Sequence, residues 1–219
     1  MVRAQQRRTY GEEVANVLTH GAGMIFGIVA IFVLMVASIR GGNPWAIGSS
    51  VVYALCMTSS YVTSTFYHAS ANARRKRSLR RFDHSAIYLH IAGTYAPFTL
   101  VALRQEGYWG WSLFAIVWIS AIIGVIISFR KIRKTDHLKT VCYLAMSWVV
   151  VIVFKPLVDV FQRTDSMPIL YWLIGGGLFY TIGCVFYFFD KYKYMHPIWH
   201  FFVLGGSICH FISVYLLVK

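Results

Sequence analysis

Apolar residues in this chain run in blocks of about 20, the length of helix that crosses the hydrocarbon core of a bilayer. Seven blocks can be placed, over about 17–39, 45–68, 84–103, 109–129, 139–160, 168–189 and 197–217. The connections are short, so neighbouring helices are expected to be antiparallel. No internal repeat or low-complexity segment interrupts the pattern. It predicts one all-α domain over 1–219, a seven-transmembrane helix bundle. A β-barrel would need short alternating segments, which are absent from the sequence.

Composition agrees. Hydrophobic residues make up 58% of the chain, charged residues 13%, and the mean hydropathy is +0.58. A soluble core of this size does not need so much apolar sequence. The net charge of +13 would suit nucleic acid, but the charges sit in short loops between the apolar blocks. There they face anionic lipid, so membrane lipid is the expected partner, with no nucleic acid and no soluble protein partner evident.

Loop charge also sets orientation. One side carries sixteen Lys and Arg, among them Arg3, Arg7, Arg8, the Arg74–Arg81 cluster, and Lys131, Arg133 and Lys134; the other carries Arg40, Arg104, Arg163 and Lys219. The N-terminus is therefore expected in the cytoplasm and the C-terminus outside, opposite to a G-protein-coupled receptor. The last block has no internal lysine for a retinal Schiff base. Trp45, Trp109, Trp111 and Trp172 fall near expected outer ends, as interfacial aromatics do. Cys56, Cys142, Cys184 and Cys209 form no Cys-x-x-Cys pair and are expected free. No cleavable signal peptide is expected, because the first apolar block is too long and follows Glu12-Glu13.

Polar residues inside membrane helices are costly and point to function. His196 and His200 are four apart at the start of the last block, so on a helix they stack on one face about 6 Å apart. Pro197 suits a first helical turn. Ser64 and His68 are four apart at the end of the second block, and Asp83 precedes the third. All of these belong to the expected cytoplasmic layer. Three imidazoles and a carboxylate suit zinc, and three nitrogen ligands with an open fourth position is a catalytic arrangement. Spacing leaves open whether Asp83 ligates directly or acts on water as a base, and histidine would also accept nickel, copper or iron.

Ser64-x-x-x-His68, Asp83 and His196-Pro-Ile-Trp-His200 resemble the motifs of the hemolysin III family, within the progestin and adipoQ receptor superfamily. Glu12-Glu13-Val-Ala-Asn16-Val-Leu-Thr-His20-Gly21 resembles that family's first-helix opening, and Phe82-Asp83-His84 through Gly93-Thr94-Tyr95-Ala-Pro97-Phe98 its third helix. The match runs from about residue 10 to 217. The resemblance implies seven helices with a cytoplasmic N-terminus and a zinc site. His68, His196 and His200 would bind the metal, Asp83 would contact it through water, and Ser64 would belong to the same motif. The superfamily's receptors resemble membrane hydrolases of the ceramidase type. The compact form suggests a bacterial multi-pass protein of the inner (plasma) membrane.

Two expectations follow from different classes. One is a zinc-dependent hydrolase of a lipid amide or ester, with Asp83 as proton acceptor and Ser64 orienting water or donating to the oxyanion. The other is a non-catalytic, zinc-stabilised regulator or sensor of membrane state. A pore-forming cytolysin, which the family name suggests, fits seven hydrophobic helices poorly.

The remaining polar positions carry weaker expectations. Glu13, Asn16 and His20 share a helical face and are expected either to support the site or to cap and cross-link helices. His90 lies about 10 Å deeper than Asp83 and His210 about 15 Å beyond His200, so neither can join the same ion. His84 points away from Asp83, and His137 falls in a basic loop. Lys155 and Asp159 are one turn apart, an ion pair or part of a polar cavity wall, and Pro156 between them is expected to kink the helix. Gly175, Gly176, Gly177, Gly205 and Gly206 are expected to permit close helix approach.

Overall fold

Thr9 starts the first helix. Its hydroxyl accepts the Glu12 amide at 3.3 Å, and the Glu12 carboxylate accepts the Thr9 amide at 2.8 Å. This capping box satisfies two amides that helix geometry orphans. The computed structural model describes the backbone of residues 8–130 and 136–219 and the side chains of residues 8–130 and 139–219. Arg3, Arg7, Lys131, Arg133 and Lys134, used in the charge count, lie outside the described residues, as does the side chain of His137.

The helices are α1 (Tyr10–Gly41), α2 (Pro44–Ala69), α3 (Ala73–Pro97), α4 (Trp109–Phe129), α5 (Asp136–Trp148), α6 (Phe154–Arg163), α7 (Met167–Phe188) and α8 (Met195–Val218). No strand occurs among the described residues. Among the described residues, five helical stretches are long and apolar enough to cross a membrane: Tyr10–Gly41, Trp109–Phe129, Lys139–Arg163, Met167–Phe188 and Met195–Val218. α2 is diluted by serine, threonine and histidine, and α3 opens on the arginine cluster.

Boundaries differ from the sequence expectation where local chemistry intervenes. α3 begins ten residues before Asp83 because Asn72 caps it, its side-chain oxygen accepting the amides of Arg74 and Arg75 at 2.9 and 3.0 Å. The basic cluster is therefore helical and Asp83 sits within a helix. Beyond Pro97, α3 widens into a π turn over Phe98–Ala102, closed by the Leu103 amide on the Phe98 carbonyl at 2.9 Å.

The fifth block, expected as one helix over 139–160, is broken. A 3₁₀ segment, Val149–Val153, separates α5 from α6. Pro156 explains it, since its ring clashes with the carbonyl four residues back and it supplies no N–H. Tyr95 repairs the break from α3. Its hydroxyl donates to the Ser147 carbonyl at 2.7 Å and accepts the Val150 amide at 3.0 Å.

α1 packs on α2 and α8, α2 on α3, α3 on α4, and α7 on α8. Leu34, Tyr53, Met57, Tyr61, Val117, Leu157 and Val214 are buried between them. Large apolar residues such as Ile25, Ile28, Phe32, Ile119, Ile122 and Leu178 face outward, which a water-soluble surface would not sustain but a lipid-facing one requires. Of the glycines expected at helix contacts, Gly176, Gly205 and Gly206 have a neighbouring side chain within 3 Å of where a Cβ would stand, whereas Gly175 and Gly177 face open space. The four cysteines are free.

Candidate metal centre

The starts of α1 and α8 are tied together. Tyr194, the N-cap of α8, has a left-handed backbone (φ 63°), and its amide donates to Glu12 at 3.2 Å. The second carboxylate oxygen of Glu12 is already engaged by Thr9. This link places the first turns of α1 and α8 in one layer, and the last turn of α2 joins them.

In that layer the structure brings His68, His196 and His200 together. All three are buried, and each offers a ring nitrogen within 4.8 Å of the others. Ring centroids are 4.5 Å apart for His196 and His200, and 5.3 and 5.2 Å from His68 to each.

The hydrogen bonds around them fix which nitrogens are available. His68 Nδ1 lies 2.7 Å from Glu13 Oε2. The carboxylate accepts, so Nδ1 carries the hydrogen and Nε2 is bare. Glu13 is held in turn by Lys76 Nζ, 2.7 Å from Oε1, so it joins α1, α2 and α3. His200 Nδ1 lies 3.2 Å from the Thr19 hydroxyl, which is 2.9 Å from the Ala15 carbonyl. Thr19 gives its one hydrogen to that carbonyl and accepts from Nδ1, again leaving Nε2 bare. His68 Nε2, His200 Nε2 and His196 Nδ1 are buried with no hydrogen-bond partner. Buried polar atoms are ordinarily satisfied. Three converging imidazoles, each with a buried ring nitrogen that has no partner and two of them held through the opposite nitrogen by a carboxylate and a hydroxyl, make the donor set of a metal site. The residues present fit a metal ion.

The other expected site residues fall around this cluster. Asp83 is not among the converging ligands; it lies in the wall of a cavity of about 820 Å³ that His196 also lines. The Ser64 hydroxyl donates to its carboxylate. His84 is drawn away to Lys139, whose Nζ lies 3.0 Å from its Nδ1. The shared face of Glu13, Asn16 and His20 divides into three roles. Glu13 orients His68; His20 stacks on His200, with ring centroids 3.5 Å apart; Asn16 is fully buried with neither amide atom partnered. Sequence reasoning missed Thr19, the residue beside His20, because its partner lies 181 positions away. It also missed Glu12 as the link to α8. The cavity runs on from Asp83 past Ile91, Leu144, Val150 and Leu170, with mostly apolar walls. Its volume is within the range of small-molecule sites.

Fold and site together define a multi-pass helical membrane protein with a buried three-histidine centre at one end of an apolar cavity. The comparisons place it further. The model of the haemolysin-III-related family matches residues 8–211, and the chain belongs to that family. It is 39% identical to Hemolysin-3 of Bacillus cereus, over 93% of this chain and 90% of that protein. It is 37% identical to the Hemolysin-3 homolog of Bacillus subtilis (strain 168), over 94% of each. A more distant similarity, 27% over 93% of this chain and 83% of the other, links it to the human monocyte to macrophage differentiation factor and supports the wider adipoQ-receptor-like superfamily.

Proposed function

We propose that the protein is a zinc-dependent hydrolase of a lipid amide or ester, spanning the bacterial inner membrane seven times with its N-terminus in the cytoplasm. In this reading α2 and α3 are the two remaining spans, shielded inside the bundle. The observation that carries the proposal is the convergence of three histidines, each with an unpartnered ring nitrogen, at a cavity that a carboxylate outside the ligand set also lines. A purely structural zinc site closes its coordination with protein ligands, whereas a catalytic one leaves a position open.

His68, His196 and His200 would hold the ion. Bound zinc supplies Lewis acidity and makes water a stronger acid. The remaining work falls to this chain's own residues. Glu13 and Thr19 keep the His68 and His200 rings in the required tautomer. Asp83 accepts a proton from the attacking water and returns it to the leaving amine or alcohol. Ser64 donates to Asp83 and aims its carboxylate. The apolar cavity wall takes the acyl chain and keeps bulk water out.

The test begins with metal content by mass spectrometry of detergent-purified protein. About one zinc per chain is expected, lost in His196→Ala/His200→Ala. Hydrolysis of a panel of lipid amides and esters follows, comparing wild type with Asp83→Asn. Turnover should fall by at least about a hundredfold with metal retained. Zinc without turnover on any panel member would leave the non-catalytic reading, and a well-folded wild type that takes up no metal would overturn both.

A further inference from the structure

Two buried histidines are not used by that centre. His90 and His210 line the same cavity. His90 is seven residues along α3 from Asp83 and His210 ten along α8 from His200, so the pair stands about 10–15 Å from the metal layer. Each is more than nine-tenths buried, with 7% and 8% of its surface exposed.

Each is anchored through one ring nitrogen. His210 Nε2 is 3.2 Å from the Leu173 carbonyl oxygen. A carbonyl only accepts, so Nε2 carries the hydrogen and Nδ1 presents a lone pair. His90 Nδ1 is 3.0 Å from Ser60 Oγ, and that hydroxyl is 2.9 Å from the Met57 carbonyl. The carbonyl takes the hydroxyl hydrogen, so His90 Nδ1–H donates to Ser60 and Nε2 presents a lone pair. Neither His90 Nε2 nor His210 Nδ1 has a partner.

Tyr180 stands between the two rings, at centroid distances of 6.2 and 5.3 Å. Its hydroxyl is 2.7 Å from Ser207 Oγ, which also accepts from Tyr61 at 2.7 Å. The backbone is cut away to seat these rings. A Cβ on Gly176 would stand 2.1 Å from His210 Cδ2, and one on Gly206 2.8 Å from the Tyr180 ring.

Two buried bare acceptors on residues that line an apolar cavity are costly unless something donates to them. The acids lining the cavity, Asp83 and Asp190, belong to its other end, so a neutral donor fits better than an ammonium. We propose that His90 and His210, flanking Tyr180, form a subsite for a hydroxyl carried part-way along the acyl chain of the ligand, its one hydrogen donated to His90 Nε2. The assignment of the chain rests on the lipid reading above, with the polar head at the three-histidine layer and a mid-chain hydroxyl at the histidine pair.

The test uses ricinoleate and oleate, which differ by one mid-chain hydroxyl, as radiolabelled ligands in equilibrium binding to the purified full chain. Ricinoleate should bind about three- to tenfold more tightly, as one added hydrogen bond gives. His90→Leu should bring the two affinities together. His196→Ala/His200→Ala should keep the preference. Equal affinity of the wild type for both ligands overturns the subsite, whether or not any variant folds, and so does an undiminished preference in His90→Leu. Because no turnover is read, failure of the hydrolase reading and failure of this subsite are distinguishable.

Discussion

Glu13 and Asp159 are both carboxylates in apolar helices, and both hold a lysine, at 2.7 Å from Lys76 and 2.6 Å from Lys155. The surroundings differ. Glu13 on α1 gathers His68 from α2 and Lys76 from α3, so its bonds exist only once three helices have met. Asp159 meets Lys155 one turn away on α6, and the two side chains are 50% and 85% exposed. That pair can form on an isolated helix. The comparison teaches that a charge in an apolar segment is informative according to how many elements it joins. A one-helix pair adds little; a carboxylate that fixes a ligand's ring sets where the site's nitrogens point.

Removing Glu13's role should have the largest effect. In Glu13→Gln, His68 Nδ1 loses its charged acceptor and Lys76 loses its counter-charge. Metal affinity, measured by chelator competition in detergent, should fall about 10–100-fold. An unchanged affinity would make Glu13 a plain helix cross-link and erase the contrast with Asp159.

Thr19 gives a finer measure. Thr19→Val keeps the shape but leaves His200 Nδ1–H without an acceptor. A neutral hydroxyl is the weaker partner, so the loss should sit near the low end, about tenfold. A loss exceeding that of Glu13→Gln would mean that His200, rather than His68, is the ligand whose orientation limits binding.

The sequence was informative where chemistry repeats along one helix. The four-residue spacing of His196 and His200, and of Ser64 and His68, survives directly as shared helix faces. Helical character could be read from block length, and the basic clusters could be read as loops by charge alone, although Asn72 makes one of them helix. The break at Val149–Val153 was visible only as Pro156; its repair by Tyr95 joins residues some 50 positions apart. Thr19 and Glu12 were out of reach for the same reason. Their partners, His200 and Tyr194, are 181 and 182 positions away, and an ordinary threonine or N-terminal glutamate carries no periodic signal of such a bond. Spacing could bring Asp83 to the layer but could not say that it stops short of the ligand cluster and opens onto the cavity.

The smallest effect should come from the exposed pair. Lys155→Met/Asp159→Leu removes both charges together, so neither is left unpaired, and Pro156 and the 3₁₀ segment before it are untouched. An exposed i,i+4 pair spends side-chain entropy for modest attraction, so the stability change in detergent should stay within about 0.5 kcal/mol and metal affinity should not move. Both substitutions lie in α6, which contributes none of His68, His196, His200, Glu13 or Thr19. A shift in metal affinity comparable to that of Thr19→Val would mean that α6 is coupled to the histidine layer through the cavity wall, where Lys155 is one of the lining residues. The one-helix pair would then be part of the site after all, and the number of elements a charge joins would no longer separate Glu13 from Asp159.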